Sequence, residues 1–173
     1  ANSKFMNKRN AGPMVVAGAG GSKGLHLLNN EFLGRPAVAG LTGPELLLVG
    51  DASVPTERSY ALIADNVFQE SVGGNETVSV RVSDVILQGN RFNNNQGPLR
   101  LQSGNRALVL VNDFDGGPGM GGIRVSGAGH WIAGNRVANL SNPATAFNWP
   151  VSLAMGNGEN VAQVKNVVIA GNS

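Results

Sequence analysis

Short apolar runs broken by Gly or Asn recur along this chain, and none keeps a helical period. TVSVRV (77–82), ALVLV (107–111) and VVIAG (167–171) are brief and rich in β-branched residues. A helix needs apolar positions at i, i+3, i+4 and i+7 over several turns, so these runs predict strands. The densest stretch, 77–104, holds three of them, around Val80, Ile86 and Leu101, with Asn- or Gly-containing corners between them.

The corners repeat. NNEF ends at Phe32, ADNVF at Phe68, QGNRF at Phe92 and VNDF at Phe114; AGNRV ends at Val137, and AGN recurs near the C-terminal residue. The anchoring residues are Asn30, Asn66, Asn90, Asn112, Asn135 and Asn172, at steps of 36, 24, 22, 23 and 37. A fixed period of this size marks a solenoid. Some 23 residues accommodate three strands and three turns, one rung of a parallel β-helix. The two long steps read as a rung plus an insertion. The expected fold is all-β: a single-stranded right-handed parallel β-helix of six or seven rungs, one domain over 1–173. Asn suits the corners because it tolerates left-handed backbone and bonds locally, and stacked amides can ladder between rungs. Phe32, Phe68, Phe92 and Phe114 are expected to stack inside. ANSKFMNKRN (1–10) is expected to cover or precede the first rung, and LSNPATAFNWP (140–150) is the longest excursion.

Composition narrows the class. The 25 glycines fit tight turns, and the absence of cysteine excludes disulfides and thiolate metal sites. A formal charge of +2, from 13 basic and 11 acidic residues, argues against nucleic acid. No apolar run is long enough to span a membrane. The chain starts at Ala1 without Met, as expected of a mature or trimmed form. VVIAGNS ends in a corner without a cap, so further chain or end-to-end self-association is expected there. GAGGSKG (18–24) is not a P-loop, because no helix follows it.

Five segments carry a family likeness. LLNNEFLGRP (27–36), PELLLVGDAS (44–53), ADNVFQESVGGNETVSVRVS (64–83), LRLQSGNRALVLVNDFDG (99–116) and GGIRVSGAGHWIAGNRVANL (121–140) keep its order and spacing. Together they resemble polysaccharide lyase family 6, the chondroitinase B and alginate lyase family of right-handed β-helices. The resemblance implies β-elimination from a uronate polymer of alginate or dermatan type, and an extracellular or periplasmic location. The catalytic positions depart from the family. Its proton-abstracting Lys falls on Arg81, its Arg on Gln102, and the following His on Ser103. Its calcium carboxylate pair falls on Gly74 and Glu76, so only Glu76 is kept, and its calcium-ligand Asn has no counterpart, with Thr42 or Pro44 near that position. Where the family reads L-T-L-R-H-G, this chain reads LRLQSG, which adds Arg100.

These departures change the chemistry. Arginine stays protonated and is a poor base. Gln102 can hydrogen-bond a sugar but brings no charge. Half a carboxylate pair is a poor site for calcium, which takes six to eight oxygens, so no cofactor is expected. Arg81, Arg100, Arg106 and Arg124 could form a basic strip across rungs, with Arg100, Arg124 and His130 as candidate substrate contacts. His130 and His26 also suit structural roles, and Trp149 and Phe147 either stack on sugar or pack back on the solenoid. Two readings follow: a lyase-like β-helix that binds acidic polysaccharide with degenerate catalytic residues, or a non-catalytic structural or glycan-binding solenoid of a surface or filament assembly.

Overall fold

The computed structural model describes residues 1–18, 20–37, 45–53, 57–72, 75–117, 121–140, 149–153 and 163–173. The described residues wind as a right-handed parallel β-helix of six rungs, each giving one strand to each of three sheets. The first rung holds β1 (Lys4–Met6), β2 (Val15–Ala17) and β3 (His26–Leu28). The second holds β4 (Glu31–Arg35), β5 (Leu47–Val49) and β6 (Leu62–Ala64). The third holds β7 (Val67–Ser71), β8 (Val78–Val80) and β9 (Ile86–Gln88). The fourth holds β10 (Arg91–Asn93), β11 (Leu99–Leu101) and β12 (Leu108–Leu110). The fifth holds β13 (Asp113–Asp115), β14 (Ile123–Val125) and β15 (Trp131–Ala133). The sixth holds β16 (Arg136–Ala138), β17 (Val151–Leu153) and β18 (Val168–Ala170). The first sheet therefore runs β1-β4-β7-β10-β13-β16, and the other two stack the second and third strands of each rung in the same order.

Strand alternation decides what each sheet buries. The first sheet points its middle residue inward, which stacks Phe5, Phe32, Phe68, Phe92 and Phe114 with centroids 5.0, 4.8, 5.0 and 4.4 Å apart. Val137 follows Phe114 in register. The second sheet buries its flanking residues, such as Val78 with Val80 and Leu99 with Leu101, and turns the middle one outward. The third buries its middle residue, among them Ile63, Leu87, Val109 and Ile132.

The asparagine ladder forms between the third and first sheets. Each amide donates to the Oδ1 of the next rung, from Asn30 to Asn66 at 3.0 Å and from Asn66 through Asn90, Asn112 and Asn135 to Asn172 at 2.9 Å. The same oxygens accept the backbone N–H of the preceding Asn, as in Asn90 to Asn112 at 2.9 Å. The left-handed corner, however, is the residue before each ladder Asn: Asn29, Asp65, Gly89, Val111, Gly134 and Gly171 all have φ between 49° and 65°. The ladder amides spend their polarity between rungs, and the preceding residue makes the turn.

The N-terminal decapeptide does not merely cover the first rung. It supplies β1, paired with β4, and Phe5 begins the aromatic stack. Ser3 joins the ladder through its backbone N–H, which donates to Asn30 Oδ1 at 3.0 Å. Buried Arg35 fastens this end by donating to the carbonyls of Lys8 at 2.7 Å and Gly12 at 2.6 Å. Burial pushes its guanidinium below the usual range, opposed by Glu45.

Candidate functional site

The outward column of the second sheet runs Val16, Leu48, Ser79, Arg100, Arg124 and Ser152 in register. One residue beyond the strands, Arg81 N–H bonds the Val49 carbonyl and Gln102 N–H the Val80 carbonyl, both at 2.8 Å. Arg81 and Gln102 thus sit on neighbouring rungs. The Arg81 Nε–H donates to Gln102 Oε1 at 2.9 Å, and Ser79 Oγ stands 3.4 Å from each of these two atoms. The positions that carry the family resemblance are brought together.

Two carboxylates border this face. Buried Glu45 lies 3.5 Å from Arg81 Nη2. Glu76 is paired with Arg100, from one rung to the next, with both side chains largely buried. Gly97 packs against the Glu76 backbone, where a Cβ would stand 2.7 Å away. Arg124 is next to Arg100. Burial pushes its guanidinium below the usual range, Arg100 adds in the same direction, and Glu76 opposes. Asp51 also feels Arg81, and its carboxylate is lowered chiefly by hydrogen bonds from Ser53. The face therefore joins three guanidiniums, an amide and a hydroxyl, with the charges facing one another. It can hydrogen-bond carboxylates and hydroxyls. Among its described residues it holds no lysine or histidine to act as a neutral base.

Two expected members lie elsewhere. Arg106 occupies a left-handed corner with φ 56° between β11 and β12, off the second sheet. There it donates to Asp84 at 2.7 and 2.9 Å, shared with Arg58 at 2.7 Å, and the Asp84 carboxyl is lowered to about 2, chiefly by Arg106. His130 is 1% exposed, and both ring nitrogens are occupied. Nδ1 accepts the Ala107 N–H and Nε2 faces the Ser126 carbonyl, both at 3.0 Å. A buried imidazole bonded on both sides fits a structural role rather than the expected substrate contact. Trp149 is 60% exposed in the bend just before β17, rather than packed back. Phe147 lies outside the described residues.

A calcium site fits these residues poorly. Glu76 is committed to Arg100, and no group of three or more His, Cys, Asp or Glu could hold a metal among the described residues. Thr42, Pro44 and Gly74 lie outside them. No helix there is long and apolar enough to cross a membrane.

A family model for chondroitinase B matches the chain over residues 1–173. A comparison with curated proteins returned no match. Among solved structures, the chain is similar to a mannuronic acid specific polysaccharide family 6 lyase from human gut microbiota, with 24% identity and a TM-score of 0.82, over 99% of this chain and 41% of that one. It is also similar to a mutant of the PL6 family alginate lyase AlyGC, with 26% identity and a TM-score of 0.82, over 92% and 23% of the two chains. A PL6 alginate lyase in complex with a trisaccharide gives 16% identity and a TM-score of 0.70, over 94% and 34%. The chain spans less than half the length of each.

Proposed function

We propose a reading whose premise is that this chain belongs to the chondroitinase B family: its second-sheet face binds an acidic, uronate-containing polysaccharide of alginate or dermatan type and does not cleave it efficiently. The observation that carries the reading is the Arg81–Gln102 pair, hydrogen-bonded at 2.9 Å where the family resemblance places base and partner. β-Elimination removes the proton next to a uronate carboxylate, so it needs a base and a cation to hold the developing charge. A guanidinium stays protonated at neutral pH, and Glu45 and Glu76 face guanidiniums of their own. What remains is recognition: planar N–H donors that match carboxylates, with the Gln102 amide for sugar oxygens. Such a polymer is met outside the cytoplasm, so an extracellular or periplasmic location follows.

Calorimetric titration with oligouronates tests this. Weak binding is expected, falling as salt rises because the contacts are ionic, and weakened further by Arg81→Ala. Binding indifferent to salt and to Arg81 would overturn the site. A purely structural solenoid is favoured by one observation, that the acids and guanidiniums of this face already pair with each other. Complete absence of binding decides for it.

A further inference from the structure

Glu76 is where the family resemblance would place a calcium carboxylate, and Arg100 stands where the family pattern has threonine. In this structure the two side chains meet. Arg100 comes from the middle of β11 and reaches back one rung, so that its Nη1 pairs with Glu76 Oε1. Both are largely buried, and Arg124 is the next residue in the column.

We propose that Arg100 is a resident cation that takes the place of a divalent ion on this face, so that acidic-glycan binding is independent of calcium. The inference rests on the polysaccharide reading above. Three observations support it. Calcium takes six to eight oxygens, and the carboxylate that would lead the set is already neutralised. Seating an ion there would break a largely buried pair and strand a guanidinium beside a dication, a strongly unfavourable arrangement. The Arg100 Nη1 meets Glu76 Oε1 and its Nε is buried, so the guanidinium is held on this face rather than spread into solvent. A fixed guanidinium can offer a uronate carboxylate the positive charge that a bound metal would otherwise supply.

Glu76→Gln separates the two roles, because it keeps the shape and removes the charge. If Glu76 is the counter-ion of Arg100, its loss unmasks the guanidinium, and oligouronate binding in chelator tightens severalfold. If Glu76 is a metal ligand, the same change abolishes calcium-assisted binding. Titrations of the whole chain with an alginate hexamer, in chelator and in millimolar calcium, read this directly. Wild-type affinity should be the same in both. Arg100→Thr should weaken binding in chelator by about tenfold or more, since hydrogen bonds to charged groups are strong. Wild-type binding that requires calcium, or an Arg100→Thr protein that binds unchanged in chelator, overturns the inference. Melting with and without calcium gives a second readout that needs no glycan. No shift is expected, and a rise of several degrees reversed by chelator contradicts the proposal. A wild type that binds no uronate in any buffer defeats the polysaccharide reading instead, and the melting comparison still decides the metal question.

Discussion

At the scale of single residues, the polar side chains that matter most are the ones that never reach solvent. His130 occupies an inward corner position that Ala61, Val85 and Ala107 fill on the earlier rungs, each following a left-handed residue. Burial pushes its imidazole below the ordinary value of 6.5, with the Ser126 carbonyl opposing. The unfolded chain therefore binds the proton more readily. The stabilising contribution is fully present above about pH 6.5 and is lost as pH falls below it. Asp84, lowered from 3.8 to about 2, gives its own loss only below about pH 4. Denaturant melts should therefore show stability declining as pH falls below about 6.5 in the wild type, and a flatter profile in His130→Leu. Val111 is a second residue with a testable cost. It is a β-branched residue at φ 49° in a column where Asn, Asp and Gly otherwise make the turn. Left-handed backbone costs L-residues about 1–2 kcal/mol, and glycine returns part of that as chain entropy. Val111→Gly is expected to stabilise by about 1 kcal/mol, read as a higher denaturation midpoint.

At the scale of elements, the rung is held by two internal columns, one of stacked phenylalanines and one of asparagines. Each ladder amide satisfies neighbours on both sides: Asn90 donates to Asn112 and to the Ile63 carbonyl, and accepts from Asn66. Asn90→Ala would leave the Asn66 backbone N–H and amide without their acceptor in a dry interior. Each stranded buried group costs about 1–3 kcal/mol, so a loss of about 3 kcal/mol is expected in equilibrium unfolding. Asn172→Ala should cost less, because that end of the ladder is partly open to water. These columns were legible in the sequence because Asn and Phe recur at a nearly constant step and each serves a neighbour one rung away. Phe5 escaped because its corner carries Ser3 in place of the expected Asn. The site was legible only in part. Arg81 beside Gln102 follows from the period, since 21 residues separate them across one rung. The bond between Glu76 and Arg100 does not follow, because side-chain reach across rungs leaves no trace in spacing. Arg106 is out of step with the Arg100–Arg124 column: it lies between β11 and β12, at a left-handed corner that belongs to another face.

At the scale of the whole molecule, the three faces differ in chemistry. The first sheet shows half-exposed pairs, Lys4 with Glu31 and Arg136 with Asp113, which are worth little at such exposure. The third turns Leu62, Ile86, Leu108 and Trp131 outward in register. Among the described residues, the second gathers Arg81, Arg100 and Arg124 with Glu45, Glu76 and Gln102 on adjacent rungs, at and beside the positions the family resemblance picks out. On the proposed reading, this face keeps recognition and has lost the base. Ultraviolet absorbance of the unsaturated uronate product, followed with alginate and with dermatan sulfate, tests it most directly. The wild type should give a flat trace. Arg81→Lys alone should add little, because Gln102 brings no charge, whereas Arg81→Lys with Gln102→Arg should give a measurable rise, since each acid–base group is worth about 10² to 10⁴ in rate. Robust turnover by the unaltered chain would contradict the account, because it would place the base on a residue other than Arg81.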